Sequence, residues 1–253
     1  KQILPPKQKI IILLKSKNIN IKNIVNSNYK IKSTMKIVAM VPIKLNSERV
    51  KEKNLRPFYD GKPLIQFILE ALMESKEVNE VYVYCSSEWI KDYLIEGVKF
   101  LKRPKYLDGN TCNCNDIIRE FMKEVDADYY VVSHATAPFT KPESIDRCIK
   151  SVVDGGDYDS SFTVEKIQTF LWSNGKPMNF DPNHFPRTQD LNPIYMETSG
   201  AFVFPRKVFE TYQRRVGIKP CLIEVSPEES IDIDTEYDMS VAQALYKQKK
   251  ENQ

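Results

Sequence analysis

The stretch KIVAMVPIKLNSERVKEKNL, residues 36–55, joins a short apolar run to a loop that is rich in Lys, Arg, Ser and Asn. The run KIVAMVPI (36–43) is typical of a strand that is buried on both faces of a sheet. The loop after it contains no glycine, since the first glycine of the chain is Gly61. Two interpretations are open for this loop: a phosphate-binding turn built without glycine, or a charged loop in solvent.

Strand and helix patterns alternate beyond this stretch. Further strands are predicted at 80–86, 128–135, 158–167, 199–205 and 221–227. Helices are predicted at 63–75, at 88–94, after a cap at Asn115 or Asp116, at 142–153 after a Thr140–Glu143 capping box, at 206–215, and from Glu236 after a Thr235 cap. This alternation predicts an α/β fold with a mainly parallel sheet.

Residues 168–195 break the alternation, because they are rich in Pro, Asn and aromatic residues, and they predict an excursion from the sheet. Sheets of this class bind ligands outside the carboxyl ends of their strands. We therefore expect the functional residues in the loops at 43–56, 86–88, 133–141 and 228–235.

Composition limits the classes of function. The 253 residues are 42% hydrophobic and 28% charged, which is typical of a globular protein, and no run of about 18 apolar residues predicts a membrane span. Residues 1–34 hold eight Lys and no acidic residue, which leaves 29 basic and 34 acidic residues in 35–253. An acidic body argues against nucleic acid as a partner.

Cysteine and histidine usage points to a cytoplasmic protein with reduced thiols. Five Cys are an odd number for a disulfide framework, and two His are few for a zinc site. Residues 1–34 are interpreted as a basic, disordered extension ahead of a single domain at 35–253. A targeting role, or weak binding to an anionic surface, is the alternative for this extension.

Cations crowd the loop after the first strand. Such a cluster suits a polyphosphate, and the side chains of Ser47 and Asn54 would add hydrogen-bond donors. The loop has neither the P-loop pattern nor the dinucleotide-binding glycine pattern. Its cations are Lys44, Arg49, Lys51, Lys53, Arg56 and Lys62.

The segment EESIDIDT (228–235) places Asp232 and Asp234 one residue apart. In an extended backbone the two carboxylates project to the same side, where a cation would relieve their repulsion. Mg²⁺ prefers one or two carboxylates together with phosphate oxygens. The alternative is an acidic strand end in which Asp234 or Thr235 caps the last helix. A loop that suits a polyphosphate and a pair of carboxylates that suits Mg²⁺ together favour phosphoryl or nucleotidyl transfer.

Five segments, in this order along the chain, resemble the acylneuraminate (CMP-sialic acid) cytidylyltransferase family across residues 36–245. They are VPIKLNSERVKEKNL with GKPLI, KRPKYLDGN, SHATAPF, FPRTQ…YMETSGAFVF, and SIDIDTEYD. The resemblance implies a Rossmann-like three-layer α/β/α sandwich and a homodimer in which 168–195 is the dimerisation excursion. It also implies a Mg²⁺-dependent reaction. The anomeric hydroxyl of an acidic eight- or nine-carbon 2-keto sugar attacks CTP, which yields the CMP-sugar and pyrophosphate.

The same resemblance implies roles for individual residues. The family pattern PARxxSxxxxxKN is matched at Pro42, Ser47, Lys53 and Asn54, with Lys44 in place of the Arg. Implied nucleotide contacts are Lys44, Asn46, Ser47, Arg49, Lys53, Asn54, Arg103 and Cys112. Implied sugar contacts are His134, Arg187 and Gln189, the Arg facing the sugar's carboxylate. Asp232 and Asp234 are the implied metal ligands and, with Lys53, the implied catalytic residues.

The chain departs from the family pattern at Asn110, which replaces an Asp, and at His134, which replaces a Gln. His134 has a second interpretation as an ordinary histidine at a strand end. Together with the apolar 133–140 loop it favours a legionaminic- or pseudaminic-type sugar. The general base is either a metal-bound water or Asp232. Two alternatives stay open: a nucleotidyltransferase of this fold with another nucleotide or acceptor, and a non-catalytic binding domain.

Overall fold

The computed structural model describes residues 35–44 and 52–252. The predictions for Asn46, Ser47, Arg49 and the 1–34 extension lie outside these residues. The elements below all belong to one unit, Ile37–Gln253.

Nine strands form one large sheet and one small hairpin within the described residues. They are β1 (Ile37–Ile43), β2 (Glu80–Cys85), β3 (Lys99–Lys102), β4 (Tyr129–Val132), β5 (Ser160–Ile167), β6 (Trp172–Ser173), β7 (Lys176–Pro177), β8 (Ile194–Pro205) and β9 (Pro220–Val225). The large sheet has the order β3-β2-β1-β4-β8-β5-β9, and β6 pairs with β7 alone.

The large sheet is parallel except at β8, which confirms the predicted α/β class with a mainly parallel sheet. β1 pairs in parallel with β2 and β4, whereas β8 is antiparallel to both β4 and β5. Because β8 runs the other way, its first half lies at the edge where its neighbours end. The residues Glu197 and Ser199 are thereby brought to the carboxyl ends of the parallel strands.

Five helices cover the sheet in the described part of the chain: α1 (Leu64–Glu74), α2 (Cys114–Glu124), α3 (Pro142–Val153), α4 (Arg206–Tyr212) and α5 (Glu236–Glu251). Alternate residues of β1 face opposite sides, as the two-residue period of a strand requires. Val41 packs in a buried cluster with residues of α1 and α3, and Met40 packs in another with residues of α2 and α4. Helices on both faces confirm the predicted three-layer α/β/α sandwich.

The short helix predicted at 88–94 is present as a 3-10 helix, Glu88–Tyr93. Other local predictions were wrong. β3 was not predicted, because this edge strand, KFLK, is short and has an exposed lysine at each end. Thr140 does not cap α3, since its hydroxyl donates to the Ala137 carbonyl oxygen and Lys141 occupies the cap position. Asn113, not Asn115 or Asp116, caps α2.

The cap of the last helix is confirmed. The Thr235 hydroxyl accepts a hydrogen bond from the Asp238 backbone N–H, and the Asp238 carboxylate accepts one from the Thr235 N–H. The excursion contains the β6–β7 hairpin and a 3-10 turn at Thr188–Asp190. β8 begins at Ile194, five residues before the predicted strand. No helix within 35–44 and 52–252 has the length and apolar character that a membrane crossing requires.

Candidate active site

Three loops meet at the carboxyl edge of the sheet, as the sequence analysis expects. The Ile233 N–H donates to the Thr136 carbonyl oxygen at 2.9 Å, which ties the loop after β9 to the loop after β4. The Lys53 Nζ donates to the Ile233 carbonyl oxygen at 2.8 Å, which ties the loop after β1 to the same point. The residues predicted at the two ends of the chain are therefore neighbours in the fold.

The two carboxylates of the IDID segment have different surroundings. The Asp232 Oδ2 accepts from the Ser199 hydroxyl at 2.7 Å, whereas its Oδ1 is buried and has no hydrogen-bond partner among the described residues. A buried carboxylate oxygen without a partner is costly, and a bound cation is one group that would satisfy it. Asp234 is 44% exposed, and its Oδ1 lies 3.4 Å from Lys53 Nζ.

The cap of α5 and a metal site would use different groups of this segment. Thr235, with Asp238, forms the cap, which confirms that part of the alternative, and the carboxylate of Asp234 is not part of it. In the part of the chain that the structure describes, no group of three or more His, Cys, Asp or Glu could hold a metal. A magnesium ion at Asp232 and Asp234 would take its other ligands from phosphate oxygens and water, which is its usual preference.

Lys53 and Asn54 are held firmly in the loop after β1. The Lys53 side chain is 13% exposed between the Ile233 carbonyl and the Asp234 carboxylate. Asn54 is buried, and its Nδ2 donates to the Lys44 carbonyl oxygen at 3.1 Å. Asn54 thus ties the 3-10 turn at Lys53–Leu55 to the end of β1, and Lys53 lies beside the Asp234 carboxylate.

Two positions that depart from the resembled family contact each other. The Lys44 Nζ donates to Asn110 Oδ1 at 3.1 Å. The sequence resemblance implies Arg and Asp at these two positions, and in this chain a cation and an amide meet there.

Arg103 and Cys112 lie near the ends of β2 and β3. Arg103 is 2% exposed, is ion-paired with Asp108, and keeps its Nε without a hydrogen-bond partner among the residues described. Asp108 also accepts from the Ser86 hydroxyl at 2.5 Å. The Cys112 thiol donates to the Tyr106 carbonyl oxygen at 3.4 Å. Arg103 therefore braces this corner from inside the protein, while Cys112 is partly exposed on it.

A polar cluster around His134 was missed by the sequence analysis, apart from His134 itself. The backbone N–H of His134 donates to the Ser199 carbonyl oxygen at 3.1 Å. The imidazole Nε2 of His134 lies 3.4 Å from Arg215 Nη1. Arg215 Nη2 donates to Glu197 Oε1 at 2.9 Å. In the sequence, Arg215 is one of two adjacent arginines at the end of a predicted helix, with no sign of a role in the site. Glu197 comes close to it because β8 is antiparallel to its neighbours.

The structure does not bring Arg187 and Gln189 to this cluster. Arg187 is 72% exposed and forms a two-pronged ion pair with Asp190, at 2.7 and 3.1 Å. The Gln189 carbonyl oxygen accepts from Gln168 Nε2 at 3.0 Å. Both residues are held by contacts within the excursion.

His134 is a neutral imidazole at ordinary pH. Burial is the largest cause that lowers its pKa from 6.5 to about 4, the nearby Arg215 lowers it further, and Asp232 opposes the shift. Arg215 can only donate, so a hydrogen bond across the 3.4 Å to His134 Nε2 requires the tautomer that carries its proton on Nδ1.

The depressed pKa predicts a pH-dependent stability. Between pH 6.5 and about 4 the unfolded chain protonates this histidine and the folded chain does not, so the contribution of His134 is lost as the pH falls through that window. We expect the urea midpoint of the wild type to fall more steeply from pH 7 to pH 4 than that of His134→Gln. Parallel pH profiles of the two proteins would contradict the assigned shift.

The chain is similar in sequence to known proteins of one family. Residues 38–252 match the family model described as cytidylyltransferase. N-acylneuraminate cytidylyltransferase A of Danio rerio is 30% identical over 82% of this chain and 50% of that protein. CMP-N,N'-diacetyllegionaminic acid synthase of Legionella pneumophila is 28% identical over 83% of this chain and 96% of that protein.

The fold comparison points the same way. A solved CMP:2-keto-3-deoxy-manno-octonic acid synthetase complexed with CTP aligns with a TM-score of 0.65 at 19% identity, over 85% of this chain and 99% of the other. That likeness shows the shared fold. The chain spans about half the length of the N-acylneuraminate relatives of fish that it matches. Since the family model covers nearly all of the described sheet and helices, the chain belongs to the cytidylyltransferase family.

Proposed function

We propose that this protein transfers CMP from CTP to the anomeric hydroxyl of an acidic eight- or nine-carbon 2-keto sugar. The observation that carries the proposal is the group formed by Asp232, Asp234 and Lys53 at the carboxyl edge, in which a buried carboxylate oxygen lacks a partner among the described residues. The names of relatives that act on acylneuraminate and diacetyllegionaminic acid support the sugar class.

The reaction forms one bond and breaks one. The anomeric oxygen of the sugar bonds to the α-phosphorus of CTP, the bond from that phosphorus to the β-phosphate oxygen breaks, and pyrophosphate leaves. The hydroxyl proton passes to a base that the described residues do not identify. Such a transfer depends mainly on positioning and on neutralising phosphate charge.

Asp232 and Asp234 are the residues that would hold Mg²⁺, with Ser199 orienting Asp232 through its 2.7 Å hydrogen bond. When bound, the ion supplies positive charge to the phosphate oxygens. Lys53, fixed by the Ile233 carbonyl, adds a second positive charge from the protein side. These residues place cations where the negative charge of the triphosphate accumulates.

The nucleotide end of the site rests on the resemblance and on the contacts of Lys44, Lys53 and Asn54. We assign the triphosphate to the loop after β1, with Lys44, Asn46, Ser47, Arg49, Lys53 and Asn54. Arg103 and Cys112 belong to the nucleoside corner. Because Arg103 is buried against Asp108, its role is to hold the shape of that corner. A cytosolic site for the reaction fits the five free cysteines.

A nucleotide and acceptor panel tests the proposal. With Mg²⁺, CTP and several 2-keto sugar acids, we expect pyrophosphate release with at least one acid, and far less with ATP, GTP or UTP. Preference for another nucleotide, or for a neutral sugar, would favour the alternative nucleotidyltransferase. Nucleotide binding without pyrophosphate release would favour a binding domain.

We also propose a homodimer formed through the excursion. Phe170, Phe180 and Phe185 contact one another, with ring centroids 4.8 to 5.5 Å apart, and Trp172 stands beside Phe180. Trp172 and Phe185 nevertheless remain exposed in the single chain, as an interface would leave them. Light scattering should give twice the mass of the chain, and Trp172→Ser with Phe185→Ser should shift it to one chain. A monomeric wild type would contradict the proposal.

A further inference from the structure

Arg215 lies next to His134 in the candidate site, and the proposed reaction assigns it no role. Its side chain is 19% exposed, and its guanidinium carbon lies 3.4 Å from the centroid of the Phe202 ring. Phe202 belongs to β8 and pairs with Val132 at the end of β4, two residues before His134. Stacking on an aromatic face fixes the plane of a guanidinium and leaves its edges available for hydrogen bonds.

The hydrogen bonds of Arg215 are uneven. Nη2 makes one good bond, to Glu197 at 2.9 Å. Among the described residues, Nη1 donates to the Cys114 sulfur at 3.4 Å, an ordinary distance for a sulfur acceptor, and has one long contact, to His134 Nε2 at 3.4 Å. Sulfur is a weak acceptor, so the hydrogen bonds of Nη1 are weaker than that of Nη2. An anion that reached Nη1 would accept a charge-assisted hydrogen bond from it. This bond would be stronger than those that the protein itself provides for Nη1.

The contacts of Arg215 differ from those of Lys53, the cation assigned to the phosphates. Lys53 is bound to the Ile233 carbonyl and lies beside Asp234, in the part of the site assigned to the metal and phosphates. Arg215 is bound to Glu197 of β8 and lies next to His134 and to the start of α2 at Cys114.

We propose that Arg215 is the residue that recognises the carboxylate of the acceptor sugar. This inference rests on the proposed function, because it names a contact within the same site. Glu197 holds Nη2, and Nη1 lies on the side of His134 and Cys114, where the protein offers it only weak partners. Arg187, which the resemblance implies for this contact, lies in the excursion, where it is exposed and ion-paired with Asp190.

Arg214 provides a matched control in the same segment. Its Nη2 donates to the Gly217 carbonyl oxygen at 3.2 Å, and its guanidinium lies over the Tyr212 ring. Arg214→Met removes the same charge and the same length of side chain one residue away. The comparison of Arg214→Met with Arg215→Met therefore separates a contact with the ligand from a general loss of positive charge.

The experiment changes the residue and the ligand separately and together, as a double-mutant cycle does. An acceptor acid that the wild type turns over is compared with its carboxamide, for the wild type, Arg215→Met, Arg215→Lys and Arg214→Met. We expect Arg215→Met to raise the KM for the acid by about 10- to 100-fold, the range of a lost hydrogen bond to a charged group. The KM for the carboxamide should change little. Arg215→Lys should lie between, because lysine keeps the charge and loses the fork.

Each outcome has one meaning. Equal losses for acid and carboxamide, or an unchanged KM for the acid in a variant that still binds CTP, would overturn the inference while leaving the proposed function intact. Turnover of no acid by the wild type would overturn the proposed function itself, and this inference with it. An Arg214→Met variant that matched Arg215→Met would also overturn it. If Arg215→Met is a weak enzyme, its affinity for CTP shows whether it is folded, and partial activity of Arg215→Lys shows that the position tolerates substitution.

Discussion

Asp232→Asn is expected to lower kcat by on the order of 10²- to 10³-fold, the range found when one preorganised electrostatic group is removed from an active site. The amide keeps the shape of the carboxylate and can keep a hydrogen bond to the Ser199 hydroxyl. It loses the negative charge, and with it the ligand that Mg²⁺ prefers. Steady-state kinetics at saturating CTP and acceptor measure the effect.

The same substitution has a predicted effect on stability with the opposite sign. Asp232 Oδ1 is buried without a partner among the described residues, so its charge costs free energy in the ligand-free protein. Asp232→Asn should therefore have a Tm equal to or higher than that of the wild type without Mg²⁺. This combination of a lost activity and a kept Tm would exclude misfolding as the cause.

Glu236→Gln is the control for Asp232→Asn. Glu236 lies four residues further along, is exposed, and is ion-paired with Arg56 at 2.6 Å. Exposed pairs of this kind contribute little to stability. We expect kcat close to that of the wild type. Wild-type activity in Asp232→Asn, or an equal loss in Glu236→Gln, would contradict the assignment of Asp232.

Lys53→Met is expected to weaken CTP binding and to lower kcat/KM for CTP by on the order of 10²- to 10³-fold. Methionine keeps the length and packing of the stem and removes the cation. Lys53 Nζ bonds to the Ile233 carbonyl and lies 3.4 Å from Asp234, so the substitution also removes the positive charge beside a carboxylate. Lys53→Arg should recover part of the affinity.

Lys62→Met serves as the control for Lys53→Met. Lys62 belongs to the same charged segment of the sequence, but it is ion-paired with Glu70 of α1. Isothermal titration with CTP should find the affinity of Lys62→Met close to that of the wild type. A CTP affinity that Lys53→Met leaves unchanged would refute the placement of the triphosphate at this lysine.

The elements that could be predicted from the sequence are those that local patterns determine. β1 is a buried aliphatic run, and α3 starts at Pro142 as expected. The loop after β1 could be paired with Asp232 and Asp234 because strands of a parallel sheet end at one edge, even though Lys53 and Asp232 are 179 positions apart in the sequence. The fold class and this pairing of loops therefore followed from periodicity and spacing, whereas the choice of Lys53 among the cations of the loop came from the family resemblance.

The features that the sequence analysis missed depend on contacts between distant segments. The antiparallel direction of β8 is set by its pairing with β4 and β5, which no local pattern encodes. That direction brings Glu197 and Ser199 to the site, and Arg215 joins them from beyond α4. The expected role of Arg187 came from a matched motif, whereas its ion pair with Asp190 holds it within the excursion.

The most direct test of the proposed reaction is phosphorus NMR of a mixture of the protein, CTP, Mg²⁺ and an accepted 2-keto sugar acid. The account predicts that the three CTP resonances are replaced by one phosphodiester resonance, for the CMP-linked sugar, and by pyrophosphate in a 1:1 molar ratio. Asp232→Asn should leave the CTP resonances in place over the same time. Formation of free CMP and pyrophosphate without the phosphodiester, or unchanged CTP with every acid offered to the wild type, would contradict it.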